Sequence, residues 1–570
     1  MTAPDPVLDQ LTGPGGPFEI VRENVLGVPT QVYAQRMKTM RELMAQSAAR
    51  AGVDFVVQGD QRLTYGENDR RARAVASSLA RLGIGVGDRV ALVSANNPDW
   101  VVTFWACAVL GAVVVPLNAW WKAEELEFGL NDAEAKILIA DARRLGVIAD
   151  RLPNIASIEH VFVIDDATPA APARPFADLT SGPDDLPEAP LDEDDLLAII
   201  YTSGTTGKPK GATLTHRQVI ANLSNIIVFG VAAGMRGTPP PELEAGLQTA
   251  SLLVVPLFHV TGCLSTMTLS YATGAKVVLM PPGRFDPDIA MELIERERVT
   301  SIGGVPTVMW RILESPNRAK YDLSSVKRAS YGGAPAAPEL VERIQEVFPN
   351  LRKTLSTAYG LTETASVATV HGGDDYFAHP GSVGRAAPTI ELRIVEEDGR
   401  DAPTGERGEV WIKGPTVMNL GYWRRPDVNA TALTDGWFHT GDIGYLDADG
   451  FLFLVDRAKD MIIRAGENVY SVEVENVLFD HPDVIDAAVV GVPHKMLGEE
   501  VKAVVQLKPG STLTADELRA FCKEHLADFK VPEYVEIRSE PLPRNPAGKV
   551  LKSVLRGGDS AFATADDQAL

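Results

Sequence analysis

The sequence predicts an α/β fold with mostly parallel sheets over most of its length, followed by a small α+β domain at its C-terminal end. Short runs of Val, Ile and Leu alternate with helical patterns over residues 53–455, which is typical of parallel strands joined by helices. After residue 456 the pattern changes to a smaller set of strands and helices. A length of 570 residues is also enough for two or three cores.

One unit near the N-terminus shows how the elements follow each other. A capping box at Thr64 and Glu67 predicts the start of a helix. Apolar residues then recur at helical spacing, and Gly83 is placed to end the helix. Arg89–Val93 is predicted to be the next strand.

The C-terminal part has its own secondary-structure pattern. Apolar runs at residues 485–490 and 501–505 predict strands, and Thr514 with Glu517 predicts a capped helix. We therefore place the main boundary near residues 456–460.

These observations divide the chain into a large domain over residues 1–458 and a small domain over residues 459–570. Residues 1–35 are expected to be a loose N-terminal extension. The last residues, 559–570, lack a core pattern and are expected to be a mobile tail.

Composition excludes some classes of partner. The net charge of −22 argues against a nucleic-acid partner, because phosphate backbones are bound by basic surfaces. The three cysteines, Cys107, Cys263 and Cys522, form no C-x-x-C pair, so neither a disulfide framework nor a zinc cluster is expected. The N-terminus does not have the pattern of a secretory signal, and we expect a cytoplasmic protein. A homodimer is compatible with the sequence, which does not determine the oligomeric state.

The uncharged stretch at residues 101–121 is the segment that most suggests a membrane span. Gly111 and Pro116 interrupt it, and the part before Pro116 is shorter than the roughly 20 residues that a span requires. We predict a buried helix that leads into a core strand, and no transmembrane segment.

A loop rich in glycine and hydroxyl groups follows a compact apolar strand at residues 196–201. Its sequence at residues 202–211 is TSGTTGKPKG. Glycines allow backbone N–H groups to curl around anionic oxygens, while hydroxyls and lysines add donors and positive charge. The spacing differs from a Walker A loop, in which four residues separate the glycines and Ser or Thr follows the lysine. The loop is predicted to bind phosphate.

Five motifs together resemble the adenylate-forming acyl- and aryl-CoA synthetases, which are related to luciferases and to peptide-synthetase adenylation domains. The resemblance covers residues 40–557. It rests on the phosphate loop and on YGLTE at 359–363, GWFHTGD at 436–442, DRAKD at 456–460 and PRNPAGK at 543–549. It implies a large adenylate-forming domain and a mobile C-terminal lid.

The resemblance assigns roles to named residues. Glu363 is expected to hold Mg²⁺, which prefers one or two carboxylates together with phosphate oxygens. Lys549, His259 and Thr362 are the implied catalytic residues, with Lys549 reaching the carboxylate and the α-phosphate. Tyr359 is expected beside the adenine, and Asp442 and Arg457 at the ribose. The implied ATP-binding residues are Thr202, Ser203, Gly204, Thr205, Thr206, Gly207, Lys210, Gly332, Gly333, Ala334, Pro335, Tyr359, Gly360, Asp442 and Arg457.

The resemblance also implies a second half-reaction with coenzyme A. Lys459 occupies the position of the family's hinge, about which the small domain rotates. The implied CoA tunnel residues are Gly466, Glu467 and Asn468; Ala465 stands where relatives often have a further glycine. No carrier domain follows, so free CoA is the expected thiol, although another acceptor stays open.

The acid is the least determined part of the prediction. His259 stands where peptide-synthetase domains carry the aspartate that binds an α-amino group, so an amino acid is disfavoured. We expect an apolar tunnel with no Arg or Lys placed to pair with a second carboxylate. A medium- or long-chain fatty acid ranks first and an aryl or alicyclic acid second. The sequence also leaves open a luciferase-like oxygenase and a non-enzymatic nucleotide-binding protein. The expected acyl pocket consists of Val260, Cys263, Gly303, Gly304, Val305, Ser330, Tyr331 and Gly332.

Overall fold

The structure is a computed structural model of the chain. It describes residues 5–166, 168–186, 189–202, 208–237, 246–332, 338–348, 351, 353–465, 467–508, 510–545 and 548–557.

The strands, in chain order, are β1 Ile20–Val25, β2 Val28–Tyr33, β3 Asp54–Gln58, β4 Gln61–Thr64, β5 Arg89–Val93, β6 Val113–Pro116, β7 Ile137–Ala140, β8 His160–Val163, β9 Arg174–Pro175, β10 Leu196–Thr202, β11 Lys210–Thr215, β12 Ala250–Leu253, β13 Lys276–Leu279, β14 Ser301–Gly304, β15 Arg328–Gly332, β16 Leu355–Tyr359, β17 Thr369–Gly372, β18 Arg385–Ala386, β19 Glu391–Val395, β20 Gly408–Lys413, β21 Leu433–Thr434, β22 Trp437–Leu446, β23 Leu452–Arg457, β24 Ile462–Arg464, β25 Glu467–Val469, β26 Val484–His494, β27 Gly498–Leu507 and β28 Tyr534–Arg538.

The α-helices are α1 Pro6–Thr12, α2 Met40–Ala45, α3 Tyr65–Arg81, α4 Pro98–Leu110, α5 Ala123–Ala133, α6 Ala142–Ile148, α7 Ala177–Thr180, α8 His216–Met235, α9 Thr268–Thr273, α10 Pro287–Glu297, α11 Pro306–Leu313, α12 Pro338–Val347, α13 Asp374–Ala378, α14 Pro426–Ala432, α15 Ser471–Phe479, α16 Ala515–His525 and α17 Lys552–Leu555. A π-helix spans Thr261–Met267.

Two mostly parallel sheets form the large part of the molecule. The seven-stranded sheet has the order β11-β10-β6-β5-β7-β8-β9, and the nine-stranded sheet has the order β18-β17-β16-β15-β14-β12-β13-β3-β4. The antiparallel pairs are at the sheet edges: β10 with β11, β3 with β4, β16 with β17, and β17 with β18. This arrangement confirms the predicted α/β class.

The helices form layers on both faces of these sheets. One core joins residues of both sheets to α3, α4 and α8, so these helices lie between the sheets. A second core packs α10, α11 and α12 on the outer face of the nine-stranded sheet, and a third packs α5 and α6 on the outer face of the seven-stranded sheet. The carboxyl ends of β14, β15 and β16 therefore meet at one edge, which is where ligands bind in such sheets.

Two five-stranded sheets follow in the C-terminal part of the described chain. β19, β20, β22, β21 and β23 form an antiparallel sheet that packs beside the ends of β11 and β16. The last sheet joins β24–β28 and is covered by α15 and α16. The chain changes from one sheet to the other between β23 and β24, at the position of the predicted boundary, and the division at residues 458 and 459 stays a prediction.

The local predictions agree with the structure. Thr64 caps α3 by accepting from Glu67 N–H, and Gly83 follows the helix with a positive φ of 85°. Arg89–Val93 is a strand, as predicted. The strands predicted near residues 485 and 501 are parts of β26 and β27, and Thr514 caps α16.

The N-terminal segment differs from the expected loose extension. Residues 20–33 form the hairpin β1–β2, and Leu11 and Tyr33 are buried against Val228 and Ala232 of α8. The hydroxyl of Tyr33 donates to Oδ1 of buried Asn225 at 2.8 Å. These contacts join residues as far apart as Tyr33 and Asn225, which are 192 positions apart, so the local sequence does not reveal them.

The stretch at residues 101–121 forms helix α4 and strand β6, both buried, as predicted. Among the described residues, one helix, α8, is long and apolar enough to cross a membrane by length and composition. Half of its most apolar window is buried, and it carries buried polar residues including Gln218, Asn222 and Asn225. These features fit a core helix, which the sequence pattern did not single out.

The Tyr33–Asn225 contact generates a stability prediction. Replacing Tyr33 with Phe removes one buried hydrogen bond and should lower the free energy of unfolding of the large domain by about 1 kcal/mol. All eight tryptophans lie before residue 459, so urea unfolding followed by tryptophan fluorescence measures this domain.

Tyr445→Phe is the matched control, because the Tyr445 ring stacks on Phe453 and its hydroxyl has no hydrogen-bond partner among the described residues. Equal destabilisation by both variants would contradict the importance of the Tyr33 hydrogen bond.

Candidate active site

The predicted phosphate loop joins two paired strands. β10 ends at Thr202 and β11 begins at Lys210, and these residues lie opposite each other in an antiparallel pair. Oγ1 of Thr202 donates to the carbonyl of Lys210 at 3.4 Å. The structure therefore places the two ends of the loop. Outside the described residues lie Ser203, Gly204, Thr205, Thr206 and Gly207.

Tyr422 connects the lysine of this loop to the predicted magnesium ligand. Nζ of Lys210 lies 4.9 Å from the centroid of the Tyr422 ring, and the Tyr422 hydroxyl donates to Oε1 of Glu363 at 2.7 Å. The side-chain amide of Asn429 accepts from the backbone N–H of Tyr422 and donates to its carbonyl. Tyr422 was not among the predicted site residues, because its position after Gly421 does not distinguish it from an ordinary core aromatic.

A tight turn presents Thr362 and Glu363 just after β16. A Cβ atom at Gly360 would lie 1.7 Å from the carbonyl oxygen of Ser366, so the backbone approach requires glycine. Thr362–Thr364 then form one helical turn in which both predicted residues are buried. The turn thus directs the carboxylate of Glu363 into the interior.

Glu363 fits the predicted magnesium role. Oε2 of this carboxylate has no hydrogen-bond or ion-pair partner among the described residues. The described part of the chain holds no cluster of three or more His, Cys, Asp or Glu side chains that could form a metal cage. A single carboxylate suits Mg²⁺ that is held jointly with phosphate oxygens.

Asp442 is a buried carboxylate with two cooperating partners. The hydroxyl of Tyr359 donates to its Oδ2 at 2.6 Å, and Nε of Arg457 lies 3.3 Å from its Oδ1. Asp442 and Arg457 are opposite each other in the β22–β23 pair, so strand register brings them together. Burial, followed by the charge of Asp442, raises the pKa of Tyr359, which keeps its hydroxyl a donor. The two predicted ribose residues and Tyr359 therefore form one group.

Lys549 and His259 face the same small cavity. Asn545 holds the turn at Lys549 by donating its backbone N–H to the Lys549 carbonyl and accepting the Lys549 N–H on its Oδ1. Arg544 donates to the Gly548 carbonyl and pairs with Asp486 at 2.6 Å, which ties the turn to β26. The residues that line the cavity are Val255, His259, Thr261, Gly304, Val305, Gly332 and Lys549.

Electrostatics assign protonation states to the two groups. Burial, with a further contribution from Arg457, lowers the pKa of Lys549 to about 8. Burial and the charge of Lys549 lower the pKa of His259 to about 4, so the imidazole is neutral near pH 7. Nδ1 of His259 accepts the N–H of Thr261 at 3.3 Å, which places the imidazole proton on Nε2. The cavity therefore offers a cation and a neutral donor.

Comparison with known proteins identifies the family. The AMP-binding enzyme family matches residues 43–423, and the AMP-binding enzyme C-terminal domain matches residues 473–549. The chain belongs to the AMP-binding enzyme family.

Individual relatives support this assignment. A feruloyl-CoA synthase from Amycolatopsis sp is 36% identical over 505 residues, covering 88% of this chain and 95% of that protein. A long-chain-fatty-acid–CoA ligase from Escherichia coli is 34% identical over 574 residues, covering 95% of this chain and 98% of that protein. The crystal structure of ATP-bound MatB from Rhodopseudomonas palustris is similar with a TM-score of 0.79 and 30% identity, covering 91% of this chain and 98% of that one.

This AMP-binding enzyme is an AMP-forming acyl-CoA ligase that uses ATP, Mg²⁺ and CoA. Its small-molecule substrates are therefore ATP, a carboxylic acid and CoA, as the sequence predicted. The relatives are named for both aromatic and aliphatic acids.

The predicted acyl-pocket residues lie in several places. Gly304, Val305 and Gly332 line the cavity. Val260 and Cys263 are buried in the core between the sheets, and Tyr331 is buried in the second core, where the adjacent strand β14 and helix α11 also pack. Gly303 and Ser330 are neighbours across β14 and β15. Side chains alternate between the two faces of a strand, so Tyr331 and Ser330 point to opposite faces of the sheet.

The remaining predicted residues belong to the small domain or lie outside the described residues. Lys459 is exposed in the turn after β23. Glu467 and Asn468 are exposed on β25, away from the cavity residues. Their roles as hinge and tunnel residues stay predictions. Outside the described residues lie Gly466, Gly333, Ala334 and Pro335.

The pKa of Lys549 predicts a pH dependence. The protonated fraction of Lys549 falls as pH rises through about 8, so adenylation that depends on its charge should fall in the same range. The quantity to measure is kcat/KM for acid-dependent pyrophosphate exchange, because it reports groups of the free enzyme.

Lys549→Arg provides the comparison, since a guanidinium stays protonated throughout this pH range. The alkaline fall should be absent in this variant or lie at clearly higher pH, even if the overall rate is lower. An unchanged fall would exclude Lys549 as its origin.

Proposed function

We propose that this AMP-binding enzyme activates an elongated carboxylic acid, with medium- and long-chain fatty acids first, and transfers the acyl group to free CoA. The observation that carries this proposal is the cavity between Lys549 and His259, where Gly304 and Gly332 contribute no side chain. A cation and a neutral donor at a mouth formed by glycines suit a carboxylate with an extended body.

Each site residue has a separate role in the adenylation step. The cation of Lys549 stabilises the negative charge that develops as the carboxylate attacks the α-phosphate and pyrophosphate leaves. His259 orients the acid through its Nε2 proton, and Asp442 with Arg457 holds the ribose. Mg²⁺ would supply charge neutralisation at the phosphates, with Glu363 as its protein ligand.

The thioester step needs a different arrangement of the small domain. Lys549 lies at the cavity while Glu467 and Asn468 are exposed elsewhere. Rotation about Lys459 would withdraw Lys549 and bring the β24–β25 hairpin towards the acyl group. This rotation completes the two-step proposal.

An aryl or alicyclic acid is the second candidate. The 36% identity to a feruloyl-CoA synthase favours it. An assay of CoA-dependent AMP release across aliphatic, aryl and alicyclic acids tests both candidates. The fatty-acid proposal is wrong if ring acids have the highest kcat/KM. Release of AMP from the adenylate by a nucleophile other than CoA would instead indicate a different acceptor.

Replacing Lys549 with Ala should separate the half-reactions. Adenylation should fall by about 100- to 1000-fold, the typical effect of removing a group that stabilises transition-state charge. Conversion of supplied acyl-AMP and CoA to acyl-CoA should be affected far less.

Lys523→Ala is the matched control, because its side chain is 70% exposed. Both half-reactions should be normal in this variant. Normal adenylation by Lys549→Ala would remove Lys549 from the mechanism.

Restricting the backbone at Lys459 tests the rotation. Its N–H makes no backbone hydrogen bond to the described residues, so Pro removes none of these bonds. Proline fixes φ, however, and should hinder rotation. Lys459→Pro is expected to keep pyrophosphate exchange and to lose at least about 10-fold in acyl-CoA formation. Lys459→Ala should keep both. Parallel loss of both activities in Lys459→Pro would contradict the hinge role.

A further inference from the structure

The two faces of the strands near the cavity differ sharply in character. On β14, β15 and β16, residues Ile302, Ala329, Tyr331 and Leu355 are buried in the second core. Helices α10, α11 and α12 cover this face. Side chains alternate between faces along a strand, so the intervening residues point to the other side of the sheet.

The opposite face carries a row of small residues. Strand register aligns Gly303 with Ser330, Ser330 with Ser356, and Ser356 with Gly372. Ser330 is exposed although β15 lies between β14 and β16 inside the nine-stranded sheet. An exposed side chain on an interior strand means that no described protein group packs fully over it. We call this row the serine trough.

The serine trough leads into the candidate active site. Gly332 follows Ser330 by two residues and lies on the same face of β15. Gly332 also lines the cavity that contains Lys549 and His259. A molecule with its carboxylate at Lys549 would therefore extend along the trough, which makes the acid the natural occupant.

Arg328 stands at the other end of the same face. It precedes Ser330 by two residues and Gly332 by four, which is about 13 Å along a strand at 3.3 Å per residue. Its neighbour across the sheet is Ser301, another small side chain. The trough therefore has a cation at each end, Lys549 and Arg328.

Arg328 has no partner in the described structure. Its guanidinium makes no hydrogen bond, ion pair or aromatic contact with the described residues. The side chain is exposed, yet surrounding protein lowers its pKa. Exposure combined with desolvation is typical of a recess rather than a convex surface. An unpaired cation in a recess is available for a ligand.

We propose that Arg328 recognises a polar or anionic group at the distal end of the acid that this enzyme activates. The substrate class is then a carboxylic acid whose far end carries a carbonyl, hydroxyl or carboxylate oxygen, on a ring or on a chain. Guanidinium groups bind such oxygens by charge-assisted hydrogen bonds. A hydrocarbon end would instead remove water from the guanidinium without providing a hydrogen-bond acceptor in its place. The inference rests on the proposed acid–CoA ligase function, and it narrows the fatty-acid candidate to chains with a polar distal end. It differs from the sequence expectation of no such cation.

Matched pairs of acids test the proposal. Cinnamate is compared with 4-hydroxycinnamate, and decanoate with 10-hydroxydecanoate and decanedioate, by kcat/KM for CoA-dependent AMP release. The wild-type enzyme should prefer the polar member of at least one pair by about 10- to 100-fold, the range expected for a hydrogen bond to a charged group. In Arg328→Met this preference should fall to about one, mainly through KM.

Two further variants control the experiment. Arg328→Lys keeps a cation and should restore part of the preference, which a merely structural role would not do. Arg400→Met removes an arginine whose side chain is 76% exposed and should leave the preference unchanged. If Arg328→Met does not fold, Ser330→Phe tests the trough, because the ring should reduce turnover of the decanoate series more than that of butyrate.

The outcomes separate the two hypotheses. Turnover of acids without a preference for the polar member, or a preference that survives in Arg328→Met, overturns the role of Arg328 and leaves the ligase proposal intact. Equal losses of kcat/KM for both members of each pair in Arg328→Met also overturn the role of Arg328. Failure of every acid to support CoA-dependent AMP release would overturn the proposed function itself.

Discussion

The buried carboxylate of Asp442 is the interaction on which the arrangement of the site depends. A buried charge is costly unless hydrogen bonds and an opposite charge compensate it. Tyr359 supplies the hydrogen bond from the end of β16, and Arg457 supplies the charge from the end of β23. The nine-stranded sheet and the β19–β23 sheet therefore converge on one side chain, which fixes the relative positions of the residues predicted to bind adenine and ribose.

Two cations lie close together in the site although the molecule as a whole is acidic. The chain has a net charge of −22, but Arg457 and Lys549 lie close enough that the charge of Arg457 contributes to lowering the pKa of Lys549. Their mutual repulsion is moderated by Asp442 and Glu363. A polyanionic nucleotide would relieve the same repulsion when it binds. The electrostatics of the site thus favour nucleotide binding without a basic surface.

The structure could be predicted from the sequence where a local segment determines the geometry. The caps at Thr64 and Thr514 and the strand before the phosphate loop follow from neighbouring residues, and the structure has them. The proximity of Asp442 and Arg457 could be predicted from the sequence, because the motifs that contain them assign both residues to the ribose. Tyr422 could not be found, because its hydrogen bond to Glu363 joins two side chains that are 59 positions apart in the sequence. The burial of the N-terminal hairpin on α8 escaped for the same reason.

The acyl pocket is the part of the site that could least be predicted from the sequence. Tyr331 and Ser330 are adjacent in sequence, yet one is buried under α11 and α12 and the other is exposed in the trough. Which face of β15 meets the acid depends on the register of β14, β15 and β16, and a shift by one residue would exchange the two sets of side chains. The same register places Arg328, Ser330 and Gly332 on one line. One strand, β15, thus serves both the nucleotide chemistry at its carboxyl end and the recognition of the acid along its length. Substitutions at Arg328 and Ser330 can therefore change the substrate preference while Asp442 and Glu363 keep their positions.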